Sequence, residues 1–249
     1  MFHYLGLLIR RVLLITDHVI FTALMYVLSF LPTSILNRFY PRLFWAWSRS
    51  FVRALDVDLN LLQNNAKSLP EQYLLIANHP SAFEDIGIPS LFNVHSLAKI
   101  EVKHWPIVGR ISHAAGTLYV RREDRNSRRE AYEDILDAVK EGKNVALYPE
   151  GGCKGRRIFE TFHYGVFDIS LRTGVPILPV FLHYEMQEQF EWKDGETLPQ
   201  KIWHYLTLSN NRVNYYVFDA IDPGRFSNKE EYMEYVHGRY LEWEGRYLE

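Results

Sequence analysis

The apolar positions of the chain follow two patterns. Residues 19–31 form a run of 13 without a charge. Carrying the run back to Val12 gives 20 residues, but only by including Asp17 and His18. A bilayer span needs about 20 consecutive apolar residues, and ionisable side chains inside one are costly. Beyond Pro32-Thr-Ser34 a second apolar stretch carries aromatics, Leu43-Phe-Trp-Ala-Trp47. The pattern predicts a membrane-associated helical hairpin over residues 1–56, broken near Pro32-Thr-Ser34, with its aromatic face dipped into one leaflet. A full span and a buried core helix compete with it. A signal peptide starting at Arg10-Arg11 competes too, although no small-residue cleavage site follows.

From about residue 57 short apolar runs alternate with helical periodicity. Strands are predicted at 73–77, 96–100, 116–120, 145–148, 177–182 and 213–218. Helices are predicted at 83–92, 128–141, 162–173 and 229–248, with Gly142, Gly174 and Pro176 as stop signals. Strands alternating with helices imply an α/β layer structure.

Composition sharpens this picture in two places. With 249 residues, 47% hydrophobic and 23% charged, the chain is neither disordered nor a multi-span membrane protein. The single cysteine, Cys153, excludes an internal disulfide framework and a multi-cysteine zinc site. The net charge of −2 gives no sign of nucleic-acid binding, but it is unevenly spread. Residues 1–53 hold six arginines against Asp17, a net of +5, and the remainder carries −7. A basic, apolar and aromatic end suits a membrane surface with anionic lipid.

Candidate chemistry sits where strands end. An apolar strand runs into Asn78-His79-Pro80-Ser81-Ala82-Phe83-Glu84-Asp85, and ligand sites in open α/β sheets lie beyond strand C-termini. His79 is placed to act as a general base. Its orienting acid is Glu84 or Asp85, provided the chain turns at Pro80. Ser81 and Glu84 also have the spacing of a capping box, a purely structural role. A second strand enters Tyr148-Pro149-Glu150-Gly151-Gly152-Cys153-Lys154-Gly155-Arg156-Arg157, where glycines and cations can cradle an anion or make a solvated basic turn. A third ends in Arg121-Arg122, and arginine suits bidentate phosphate contact.

Taken together these segments resemble the glycerolipid acyltransferases related to lysophosphatidic acid acyltransferase. Four ordered blocks of that family have counterparts: Asn78-His79-Pro-Ser-Ala-Phe-Glu84, Gly116-Thr-Leu-Tyr-Val-Arg121-Arg122, Tyr148-Pro149-Glu150-Gly151, and Val175-Pro176-Ile177-Leu178-Pro179-Val180. The segment from Lys99 to Gly109 also resembles the stretch between the first two blocks. The resemblance covers roughly residues 70–182 and implies a mixed sheet flanked by helices, with an acyltransferase domain over 57–249.

It further implies a reaction. His79, oriented by Glu84 or alternatively Asp85, would deprotonate the free hydroxyl of a lysophospholipid, which attacks the thioester of an acyl-CoA or acyl carrier protein. No cofactor or metal is implied. Asn78, Lys99, Arg121, Arg122, Glu150, Gly151, Gly152 and Lys154 would bind substrate, and the enzyme would work on the cytoplasmic face of a membrane. Two departures stand out. The first-block acid is usually Asp, and here it is Glu84 with Asp85 next to it. The third block usually continues with a hydroxyl and Arg, and here reads Gly152-Cys153-Lys154, which leaves a lyso-aminolipid acceptor or a non-catalytic lipid-binding protein as alternatives. Cys153, amid cations that would lower its pKa, and Ser81 are minor candidates for a nucleophile.

Overall fold

A computed structural model of the chain describes residues 2–153, 155–191, 196–207 and 210–248. Helix α1 (Phe2–Leu28) and helix α2 (Thr33–Ala54) form the expected hairpin, with Pro32 just before the second helix. The fixed φ of proline and its missing N–H suit that position. Tyr40 Oη donates to the Met25 carbonyl at 2.8 Å and Trp47 Nε1 to Thr22 Oγ1 at 2.9 Å, tying the helices together. One row of α1, including His18, Phe21 and Met25, faces α2, and the opposite row, including Ile9, Val12, Val19 and Leu24, is exposed. Residues 5–28 are long and apolar enough to cross a membrane by length and composition. An apolar helix this exposed is compatible with membrane association.

Strands β1 (Asp58–Gln63), β2 (Leu74–Ala77), β3 (His95–Lys99), β4 (Leu118–Val120), β5 (Val145–Leu147), β6 (Ile177–Tyr184) and β7 (Arg212–Val217) make one sheet, ordered β1-β7-β6-β2-β5-β3-β4. The pairs are parallel except β6–β7, so the sheet is mixed. The helices that follow are α3 (Glu84–Leu91), α4 (Ile100–Lys103), α5 (Val108–Ala114), α6 (Arg125–Lys140), α7 (Gly165–Thr173), α8 (Gln187–Phe190), α9 (Leu198–Leu206) and α10 (Lys229–Tyr247). Side chains alternate across β2. Leu74 and Ile76 join a core with α6, α7 and α10, while Leu75 and Ala77 join one with α2 and α3.

The differences from the predicted elements have local causes. Helix α6 starts at Arg125 rather than 128 because the Asp124 carboxylate accepts from the N–H groups of Asn126 and Ser127. Helix α7 ends as predicted, at Gly174 in a left-handed conformation with φ of 73°. Strand β1 was not predicted: Asp58-Leu-Asn-Leu-Leu-Gln63 lacks β-branched residues and lies half-exposed at the sheet edge. Its placement comes from backbone pairing with β7. Tyr184, Tyr205, Tyr215, Tyr232 and Tyr240 of the C-terminal third belong to the core. Tyr240 Oη donates to the carbonyls of Ile76 and Val180 at 2.9 and 3.1 Å, and Trp243 stacks on Phe218 with centroids 3.7 Å apart.

Candidate active site

Strands β2, β5, β3 and β4 are parallel neighbours, so their C-termini meet at one sheet edge. That edge gathers His79 after β2, Glu150 after β5, Lys99 at the end of β3 and Arg122 after β4. Sequence positions up to 71 apart thereby become neighbours: the His79 N–H donates to Glu150 Oε2 at 2.9 Å.

His79 is 4% exposed and its ring stacks on Tyr148 with centroids 4.2 Å apart. Its Nδ1 lies 3.8 Å from Glu84 Oε1, within ion-pair range but too long for a hydrogen bond. That oxygen accepts the Ser81 N–H at 2.7 Å, while Ser81 Oγ accepts the Phe83 N–H at 3.1 Å. Of the reciprocal cap expected from the spacing only the Glu84 half is formed, since Ser81 Oγ takes the Phe83 N–H rather than that of Glu84, and the Glu84–Ser81 bond is what holds Glu84 beside the imidazole. Burial brings the His79 pKa down to about 4, against the pull of Asp85, the strongest charge acting on the ring. Burial also raises Asp85 to about 6, with His79 as the largest opposing influence.

Glu84 is fully buried, and burial pushes its carboxyl well above the ordinary value of 4.5, against the pull of backbone N–H groups and the Tyr184 phenol. The native state therefore keeps a proton that the unfolded chain releases. The stability this contributes is fully present below pH 4.5 and is lost as pH rises toward the native value. Glu84→Gln keeps an acceptor for the Ser81 N–H and cannot ionise. Its melting temperature relative to wild type is expected to improve between pH 5 and pH 8. Thermal melts at both pH values check this, and an unchanged difference would contradict it.

Two expected substrate ligands hold backbone groups. The Asn78 carboxamide donates to the Leu182 carbonyl at 3.0 Å and accepts the Leu182 N–H at 2.7 Å, pinning the end of β2 to β6. The Glu150 carboxylate takes the N–H groups of His79 and Phe159, the latter at 3.3 Å. Both side chains are buried with their polar atoms engaged by backbone groups. Cys153 corrects an expectation. Its sulfur lies 3.5 Å from His79 Nε2 and 3.3 Å from the Ser81 carbonyl. The residue as a whole is exposed, but desolvation of the sulfur where it meets His79 and the Ser81 carbonyl, with the charges of Glu84 and Asp85, pushes its pKa up rather than down, which disfavours the thiolate.

Two clefts lie on opposite faces of the sheet beside neighbours of His79, Tyr148 on one and Asp85 on the other, while His79 itself lines neither. One, of about 620 Å³, has Arg122, Arg128, His163, Tyr148 and Gly151 toward the site and an apolar floor including Leu97, Ile135 and Ile169. Gly151 sits at φ of 75°, and a Cβ there would lie 2.5 Å from His163 Nε2, so glycine is required. A Cβ on Gly152 would lie 3.1 Å from Arg122 Nη1, so the glycine pair lets both side chains close in. The other cleft, of about 110 Å³, runs from Asp85 to Phe44, Trp47 and Phe51 of α2 and Trp105. Arg121 is exposed and lines neither cleft, whereas its neighbour Arg122 does. Lys99 is exposed near the Cys153 thiol, where its charge is felt. Lys154 lies outside the described residues. Arg128 and the Tyr148 stack went unread in the sequence, since a charge on a helix and an aromatic at a strand end are ordinary features.

Comparison with known proteins finds similarity to acyltransferases. The acyltransferase family model matches residues 61–183. A 1-acyl-sn-glycerol-3-phosphate acyltransferase from Neisseria meningitidis is 26% identical over 136 residues, 55% of this chain and 53% of that protein. A lyso-ornithine lipid O-acyltransferase from Pseudomonas aeruginosa is 28% identical over 155 residues, 62% of this chain and 58% of that protein. The matched regions thus span a little over half the length of these relatives. The crystal structure of a 1-acyl-sn-glycerophosphate acyltransferase from Thermotoga maritima superposes with a TM-score of 0.63 at 20% identity, covering 96% of each chain, and so shares the fold.

Proposed function

We propose that this chain, whose residues 61–183 match the acyltransferase family model, transfers an acyl chain from an acyl-CoA or acyl carrier protein thioester to the free hydroxyl of a lysophospholipid. The observation that carries this is a buried, neutral His79 with an acid on one side and a cationic cleft on the other. With its pKa near 4, the imidazole is unprotonated at neutral pH and free to act as a base. Nε2 takes the acceptor proton, and the hydroxyl oxygen attacks the thioester carbonyl carbon. Collapse of the tetrahedral intermediate breaks the C–S bond, and the proton passes from His79 to the departing thiolate.

The acid's work is divided between two residues. Glu84 shapes the turn through its bond to Ser81, and Asp85 supplies the charge that favours the imidazolium. As pH falls, Asp85 is neutralised near 6, before His79 takes up a proton near 4. The acid limb of kcat/KM is therefore expected near pH 6, and Asp85→Asn is expected to remove it while lowering the plateau. A pH–rate profile checks this, and a limb unchanged in the variant would return the charge role to Glu84.

The acceptor follows from the larger cleft. Two arginines and a histidine line it, with no carboxylate among the described residues, an environment suited to a phosphate monoester. A zwitterionic headgroup finds no counter-anion there. The second reading, a lyso-aminolipid acceptor, is favoured by Gly152-Cys153 standing where the family has a hydroxyl. Initial rates with 1-acylglycerol-3-phosphate, lysophosphatidylcholine and a lyso-ornithine lipid test the choice. The phosphate monoester is expected to give the highest kcat/KM, and preference for the ornithine lipid would support the second reading. The exposed α1 row supports work at a membrane surface, on the cytoplasmic side where acyl thioesters are found.

A further inference from the structure

Helix α1 extends beyond the helix that supports it. Asp17 lies 3.5 Å from Ser50 Oγ and His18 stacks on Phe51 at 4.4 Å, close to where α2 ends at Ala54. The supported row of α1 continues toward its N-terminus at Leu14, Arg11 and Leu7 with no helix of the hairpin beneath it. In its place is a cleft of about 300 Å³ lined by Leu7, Leu8, Arg10, Arg11, Leu14 and Asp56.

The polar groups of this cleft are only partly engaged. Arg10 Nη2 and Arg11 Nη2 each lie 3.8 Å from an oxygen of Asp56, and Arg11 Nη2 also donates to the Leu206 carbonyl at 2.6 Å. Arg11 Nε is buried with no hydrogen-bond partner among the described residues. One carboxylate thus faces two guanidinium forks without a short bond to either, leaving a net positive charge. Asp56 is held at φ of 57°, a left-handed conformation that costs energy for a residue other than glycine. Forked cations beside leucines match a phosphate joined to an acyl chain.

We propose that this cleft seats one anionic phospholipid of the bilayer, its phosphate between Arg10 and Arg11 and a chain along Leu7 and Leu14. The proposal rests on the membrane-surface reading of α1, and it differs from general attraction to a basic segment. Diffuse attraction depends on charge and distance alone, whereas a seat depends on which charges are changed.

Co-sedimentation with vesicles of phosphatidylcholine, alone or mixed equally with phosphatidylglycerol, tests it with charge-matched variants. Arg10→Gln/Arg11→Gln is expected to lose about tenfold more binding to the mixed vesicles than Arg38→Gln/Arg42→Gln, because forked contacts are lost as well as charge. Asp56→Asn, which tolerates the left-handed backbone, is expected to gain more than Asp17→Asn. Arg10→Lys/Arg11→Lys keeps the charge and the fold and is expected to lose part of the binding. Equal effects within the matched pairs, with the lysine variant unchanged, would overturn the seat. Failure of the wild type to bind either vesicle would overturn the membrane reading and the seat with it.

Discussion

Replacing His79 with alanine is expected to lower kcat by about a hundred- to ten-thousandfold, the span of general-base catalysis, while leaving the fold intact. The reason lies in how His79 is anchored. Its tie to Glu150 is made by the backbone N–H, which alanine retains. What is lost is the imidazole, with its stacking on Tyr148 and its approach to Glu84. Ring truncation at a buried site costs some packing energy, but no buried donor is stranded. Acylation rates with circular dichroism and a thermal melt of the same preparation separate the two effects. Turnover retained within a few fold would remove His79 from the chemistry.

Glu150→Ala is expected to behave in the opposite way, losing stability and rate together. The substitution strands the N–H groups of His79 and Phe159, which Glu150 accepts at 2.9 and 3.3 Å in a buried setting. An unsatisfied buried donor costs about 1–3 kcal/mol, so the pair corresponds to a fall of about 10 °C in melting temperature for a chain of this size. Loosening the His79 backbone also misplaces the base, so kcat falls while the KM for the acceptor changes little. A rise in KM with kcat and stability preserved would instead make Glu150 the headgroup ligand that the sequence resemblance implied. The two variants form a pair: one removes the reacting group and keeps its support, and the other removes the support and keeps the group.

The legible part of this site was the part carried by contiguous residues. Asn78-His79, Arg121-Arg122 and Tyr148-Pro149-Glu150-Gly151 each follow a buried strand, and parallel pairing of those strands gathers them at one edge. The hairpin break at Pro32 was legible for the same reason, since proline acts on its own neighbours. The roles that depend on three-dimensional partners were not legible. A carboxylate reads the same in sequence whether it faces a ligand or two backbone N–H groups, so the holding role of Glu150 could not be read there. Cys153 was expected among cations that lower its pKa, yet its sulfur meets the His79 ring and the Ser81 carbonyl, where desolvation and the charges of Glu84 and Asp85 raise it. The capping role and the proximity of Glu84 to His79 looked like alternatives in the sequence, and in the fold one produces the other. Strand β1 and the short helices α4, α5 and α8 carry too little periodicity to be read without their partners.

The central claim is that this chain moves an acyl group between a thioester and a lysophospholipid hydroxyl. It is tested most directly by incubating the purified protein with an acyl-CoA or acyl carrier protein thioester and 1-acylglycerol-3-phosphate. Free thiol and lipid product are then counted, the product by mass spectrometry. The expected result is one thiol released for each diacyl lipid formed, with neither appearing when the lysolipid is omitted or His79 is replaced. Thiol release with free fatty acid in the absence of lysolipid would mark a hydrolase, and lysolipid binding without thiol release would mark a non-catalytic lipid-binding protein; either would contradict the claim.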